Sequence, residues 1–292
     1  AYSRLLSSTL TEKGLTQQGQ SGWWNDPEFG MVVGGGDYNH RIFKGSGANA
    51  DYKVDVRWHN PINKDTWQHV VVAMNKSGTY KVYLDGEELP DASICGSNST
   101  QDASVESAMD VLFDKAFLDC LKYNDFGRSL YNSDANVGGK FDDIQIYNQT
   151  LTKNEVSRLY QSYQENPYEK LVSIDYSFEN VEGEIVYNEI ENGANATLGS
   201  QATIVYDEEK ESHVLNLPGG SAQGGSWLTL PEYLFGGVNG AEGFAISMDV
   251  KLPSANDSYY TRLFAASPYE LGYDYDGYEE WGWRDPEFAL VR

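Results

Sequence analysis

The carboxylates are the residues whose types and spacing suggest chemistry first. Phe141-Asp142-Asp143-Ile144-Gln145-Ile146 sets two adjacent acids inside an alternating apolar strand pattern. Period two places Asp142 on the face of Ile144 and Ile146, where a carboxylate needs a partner. A calcium ion held by Asp142, with Asp143 as the lesser ligand, meets that need, and backbone amides of a neighbouring turn meet it equally well. A second acidic stretch, Tyr269 to Trp283, carries Asp274, Asp276, Glu279 and Glu280 within seven residues. Alternate carboxylates followed by glycine suit a hard cation that takes six to eight oxygens. The equivalent loop, Leu10 to Trp23, has only Glu12, so an ion there belongs to one copy alone.

Aromatic residues suggest a second chemistry. Trp23 and Trp24 precede Asp26-Pro27-Glu28-Phe29, and Trp281 and Trp283 precede Asp285-Pro286-Glu287-Phe288. Tryptophan rings stack on the apolar faces of sugars, and Asp26 and Asp285 beside them accept hydroxyl hydrogen bonds. The alternative is that these rings plug one end of the fold. Cys95 and Cys120 either close a loop of about 25 residues as a disulfide, stabilising by roughly 3 kcal/mol, or are buried free thiols. Catalysis has little support. The four histidines, at 40, 59, 69 and 213, lie near no convincing serine or cysteine nucleophile along the sequence, and no strand shows a glycosidase-like pair of acids. The reading is non-enzymatic.

The elements that must position these groups are strands. Trp67 to Leu89, WQHVVVAMNKSGTYKVYLDGEEL, reads as two strands about an Asn75-Lys76-Ser77-Gly78 turn, followed by a second turn at Asp85-Gly86. Val70 to Ala73 is apolar on both faces, as in a strand covered by two layers. Two segments read as helices. Ser104 to Tyr123 places Val105, Ala108, Met109, Leu112, Ala116 and Cys120 on one stripe. Thr152 to Gln164 opens with a Thr152–Glu155 capping box and presents Val156, Leu159, Tyr160 and Tyr163 as an apolar face.

The order Trp-x-His-Val, polar turn, Tyr-x-Val-Tyr-Leu-Asp-Gly resembles the laminin G-like, concanavalin A-like jelly-roll family, as does Phe141 to Glu155, FDDIQIYNQTLTKNE. The resemblance implies an all-β fold, a two-sheet antiparallel jelly-roll sandwich. To it are added a short inserted helix and a C-terminal capping helix. Leu171 to Glu179 and Phe244 to Lys251 resemble further strands of that family, with Asp249 where the family has tryptophan. Local pairing at Asp249 is therefore expected to differ.

The chain also repeats itself. Residues 1 to 9, AYSRLLSST, match 259 to 267, YYTRLFAAS, and Trp24 to Val32 matches Trp283 to Val291. Internal repetition implies a tandem array. In that frame 1–165 is the C-terminal portion of one laminin G-like unit and 168–292 the N-terminal portion of the next. The two portions are expected to complement each other, within one chain or between copies.

The net charge of −23 repels phosphate backbones and anionic lipid, which disfavours nucleic acid and membrane surfaces as partners. No apolar run approaches the roughly 20 residues of a membrane span. The expectation is an extracellular or cell-surface repeat module for adhesion or glycan binding, with calcium as a structural cofactor. Adjacent repeats, copies of itself and glycans are the expected partners. A stalk or head-to-tail filament, and an accessory carbohydrate-binding domain of a glycoside hydrolase, are the alternatives. A secretion leader, for a secreted protein, is expected outside these residues.

Overall fold

The computed structural model describes residues 29–30, 37–44, 52–59, 63–89, 93–94, 113, 123–128, 135–162, 172–221, 224–234, 243–253, 262–267 and 288–291. In chain order its elements begin with β1 (Phe29–Gly30), β2 (Asp37–Lys44), β3 (Tyr52–His59), β4 (Gln68–Asn75) and β5 (Tyr80–Leu84). There follow β6 (Glu87–Glu88), β7 (Ser93–Ile94), β8 (Tyr123–Phe126), β9 (Asn136–Tyr147) and helix α1 (Lys153–Gln161). Then come β10 (Val172–Tyr176), β11 (Val181–Glu182), β12 (Ile185–Val186), β13 (Ala196–Leu198) and β14 (Thr203–Asp207). The last are β15 (Ser212–Gly220), β16 (Leu228–Thr229), β17 (Gly243–Lys251), β18 (Arg262–Ser267) and β19 (Phe288–Val291).

These strands form an antiparallel sandwich. One sheet runs β14-β15-β9-β17-β4-β5-β6, with β10 also on β9, and the other runs β11-β12-β13-β16-β8-β18-β19. A further sheet joins β1-β2-β3-β7. The hairpin foreseen at Trp67 to Leu89 is present. Val70 to Met74 are fully buried, as an apolar run covered on both faces requires. Asp85 and Gly86 both take positive φ, +51° and +79°, which a two-residue turn between right-twisted strands demands.

The strand partners sort the central residues into two faces. Val72, Ile246 and Ile146 stand in line, as do Val70 and Met248, and Met74 and Phe244. This face is the core between the sheets, where Leu217 of β15 lies against Gly127 just after β8. On the outer face Val71, Ala73, Tyr83, Tyr147 and Ala245 form a second apolar cluster with Leu151 and Val156, flanked by Leu159. Helix α1 covers this cluster. It forms because Thr152 caps it: Glu155 N–H donates to Thr152 Oγ1, and Thr152 N–H donates to the Glu155 carboxylate at 2.7 Å. Burying Val156 and Leu151 stabilises its docking by roughly 2 kcal/mol per side chain.

The two portions of the sequence are interleaved within this chain. β17, from the second portion, pairs with β4 on one side and β9 on the other, and β15 and β10 also pair with β9. β18 and β19, which lie in the second copy of the duplicated stretch, pair with each other and dock on β8. The helical pattern over Ser104 to Tyr123 ends in a correction. Tyr123 opens β8 instead, because Tyr123–Phe126 finds ladder partners in β18 and β16. The rest of that segment lies outside the described residues, apart from Phe113.

Candidate functional site

Asp142 is buried, as its strand position predicts, but on the other face. The β9–β17 register pairs Ser247 with Gln145 and Asp249 with Asp142, so three residues of β9 oppose two of β17. The extra residue is a bulge at Asp143, which takes φ +48°. A one-residue slip reverses every side chain beyond it. Asp142 therefore shares the outer face with Asp249 and His69 rather than the inner face with Ile144 and Ile146. The irregularity lies between Ser247 and Asp249, beside the aspartate at which altered pairing is expected.

A turn of β14–β15 closes over these groups. Asp207 organises it: Oδ1 accepts from Glu209 N–H at 3.0 Å, from Lys210 N–H at 3.2 Å and from Trp67 Nε1–H at 3.2 Å. Lys140 Nζ donates to the other oxygen at 2.5 Å. Burial works to raise the Asp207 pKa, yet these hydrogen bonds outweigh it and hold the carboxyl down at about 2. The turn aims Lys210 back at the sheet. Its ammonium bonds Asp249 Oδ2 and stands 3.8 Å from both Asp142 Oδ2 and Asp143 Oδ2, with Nζ 5.6 Å from the Trp67 ring centroid. Asp142 also accepts from Ser212 Oγ at 2.7 Å and from Asp143 N–H at 3.0 Å.

Burial dominates the electrostatics. It raises the Asp142 carboxyl to about 7, with the Asp143 charge adding to the effect, and it raises Asp249. Burial works against the Lys210 ammonium, but Asp249 and the other carboxylates together raise its pKa. His69 is pushed down to about 4 by burial. Its Nε2 shares a 2.8 Å hydrogen bond with Ser247 Oγ, and its ring stacks on Tyr160 of α1. This cluster does not fit a calcium ion. An ammonium stands where Asp142, Asp143 and Asp249 converge, and no group of three or more His, Cys, Asp or Glu among the described residues has a metal-binding arrangement.

Two surface features flank the sheet. At the Asn75 end of β4 a cleft of about 510 Å³ is lined by Asn75, Lys76 and Ser77 on one side and Gln149, Thr150 and Thr152 on the other. Thr150 Oγ1 is buried there without a hydrogen-bond partner, while Asn75 Oδ1 accepts from Ser77 Oγ and Thr79 N–H. At the Trp67 end, Tyr206 is 52% exposed and meets His213 edge-on, with ring centroids 5.5 Å apart. Glu179 holds His213 through its backbone N–H and Nδ1, both at 2.7 Å.

Trp23, Trp24, Asp26, Cys95, Cys120, Asp274, Asp276, Trp281, Trp283 and Asp285 lie outside the described residues. Lys210, Asp249 and Asp207 escaped the sequence reading as a site. The available signals were a lone lysine in the acidic turn Asp207-Glu208-Glu209-Lys210-Glu211 and an aspartate inside an otherwise apolar strand.

No helix among the described residues is long and apolar enough to cross a membrane. No curated protein and no solved structure matches the chain. A laminin G-like family model matches residues 4–157, over half of the chain, from the first duplicated stretch into α1. With the two-sheet antiparallel sandwich, that match establishes that the chain belongs to the concanavalin A-like lectin/glucanase superfamily.

Proposed function

We propose that the chain is a non-enzymatic glycan-binding or adhesion module of an extracellular repeat protein. The observation that carries this reading is the polar cleft beside the Asn75 turn. Its amides and hydroxyls are the groups that exchange hydrogen bonds with sugar hydroxyls. Hydrolysis of a glycosidic bond needs two carboxyl groups flanking it. The cleft lining offers Glu155 alone, and the helix cap already engages that group. A glycan array with wild-type protein, Gln149→Ala and Tyr206→Ala tests the assignment. Binding lost in Gln149→Ala and kept in Tyr206→Ala is expected. The opposite pattern moves the site to the Tyr206 end, and no glycan retained by the wild type overturns the reading.

The duplication favours a second reading, a structural repeat in a stalk or filament. β19 within the second copy completes a sheet of the sandwich, whereas β1, in the first copy, pairs in a separate sheet. Adjacent units would then each supply strands to the next. Sedimentation across a concentration series tests it, with concentration-dependent growth expected and a monomer throughout counting against it.

A further inference from the structure

The strand pattern around Asp142 leads to a calcium ion or backbone amides as its partner, and the structure places an amine there instead. Three carboxylates meet the Lys210 ammonium, and those of Asp142 and Asp249 are only 2% and 6% exposed. Two ionised acids buried opposite each other across a ladder repel, and a cation between them relieves that repulsion. The lysine does not reach the cluster by chance packing. Asp207 fixes the turn that carries it, and the Trp67 indole is itself hydrogen-bonded to Asp207. Asp249 Oδ1 remains buried with no hydrogen-bond partner, aligned with a pair whose other oxygen already holds the ammonium.

We propose that Lys210 is the resident cation of this fold, taking the place of a divalent ion among Asp142, Asp143 and Asp249, and that its removal opens a divalent-cation site there. An ammonium supplies one positive charge where calcium supplies two. Asp142 offsets part of the difference by accepting hydrogen bonds from Ser212 Oγ at 2.7 Å and Asp143 N–H at 3.0 Å. The ammonium also cannot dissociate into the solvent as an ion does. The cluster is thus held together whatever the calcium level outside.

The test is thermal melting of the full chain in chelator and in millimolar calcium, with matched magnesium as control. Wild type and Lys210→Arg, which keeps the charge, are expected to melt at the same temperature in all three buffers. Lys210→Met keeps most of the alkyl stem against Trp67 but leaves the buried carboxylates uncompensated. It should melt lower in chelator by on the order of 10 °C, and calcium should recover part of that loss saturably. Lys210→Met/Asp249→Asn should regain stability without calcium and lose the calcium response. A wild-type melting temperature that falls on chelation overturns the proposal, as does a Lys210→Met deficit that calcium leaves untouched. Should Lys210→Met fail to fold in every buffer, the double variant decides: a folded double variant supports the proposal and an unfolded one overturns it.

Discussion

Asp142 and Asp249 are direct partners across the β9–β17 ladder, two buried carboxylates on one face of the sheet. His69 stands next in the same row, opposite Asp249 on β4. The row therefore titrates in both directions. Asp142 is raised from 3.8 to about 7, so the stability it contributes is complete below its unfolded value and is lost as pH rises through 7. His69 is lowered from 6.5 to about 4, so its contribution is complete above 6.5 and is lost as pH falls through 4. Asp85, Lys210 and Asp143 also act on the imidazole, the first and last raising its pKa and the lysine lowering it.

The two windows overlap with opposite signs, and each contribution is on the order of 3 kcal/mol. Unfolding free energy of the wild type should therefore change little between pH 4 and 7 from these two groups. His69→Gln removes one limb and should leave a protein that weakens as pH rises. Asp142→Asn removes the other and should leave one that weakens on acidification. Urea titrations of the three proteins across that range measure this. Parallel profiles for all three would contradict it.

Much of this fold is legible in the sequence, and the site is not, for physical reasons. The Trp67 hairpin is visible because Val70 to Ala73 is apolar throughout and Asp85-Gly86 tolerates positive φ. Helix α1 is visible because its cap is local, with Thr152 and Glu155 three residues apart. The face of Asp142 is hidden because an extra residue at Asp143 leaves no mark on an alternating pattern, yet reverses it. Lys210 is hidden because it reaches Asp142 from a turn 68 positions along the chain, through a fold and not a spacing. Asp249 is the intermediate case. Its place in an apolar strand signals altered pairing but not which partner answers it.

Gly86 should not tolerate a side chain. A Cβ there would sit 2.9 Å from Tyr160 Cδ1, and φ is +79°. Gly86→Ala is expected to destabilise by about 2–3 kcal/mol, from left-handed strain and displaced α1 together. Tyr160→Ala relieves the overlap alone, so in that background the same change should lose only about 1 kcal/mol. Chemical denaturation of the double-mutant cycle measures the coupling. Equal penalties in both backgrounds would place the whole effect in the backbone.

The helix cap offers a smaller, local test. Thr152→Ala removes the side-chain acceptor for Glu155 N–H and should destabilise by about 1 kcal/mol, with Thr152→Ser recovering most of it. Hydrogen exchange should quicken at Val156, whose N–H bonds Thr152 O, and over the outer cluster it covers. Unchanged exchange there would mean that packing alone fixes α1.

The interleaving of the two sequence portions predicts how the chain behaves when divided. β17 lies between β4 and β9, and every residue from Gly243 to Val250 is buried. Without it, β4 and the long β9 each present an unpaired edge beside apolar faces, the arrangement that invites aggregation. Residues 167–292 alone would in turn leave β17 with neither neighbour. Separately expressed, residues 1–166 and 167–292 should each be insoluble or molten. Co-expressed, they should copurify as one complex, because the pairing depends on strand complementarity rather than on an unbroken chain between α1 and β10. Substituting Ile246→Asp, at the centre of β17, should abolish copurification by placing a charge against Val72 and Ile146. A soluble, cooperatively melting 1–166 fragment would show that β4 and β9 need no strand between them.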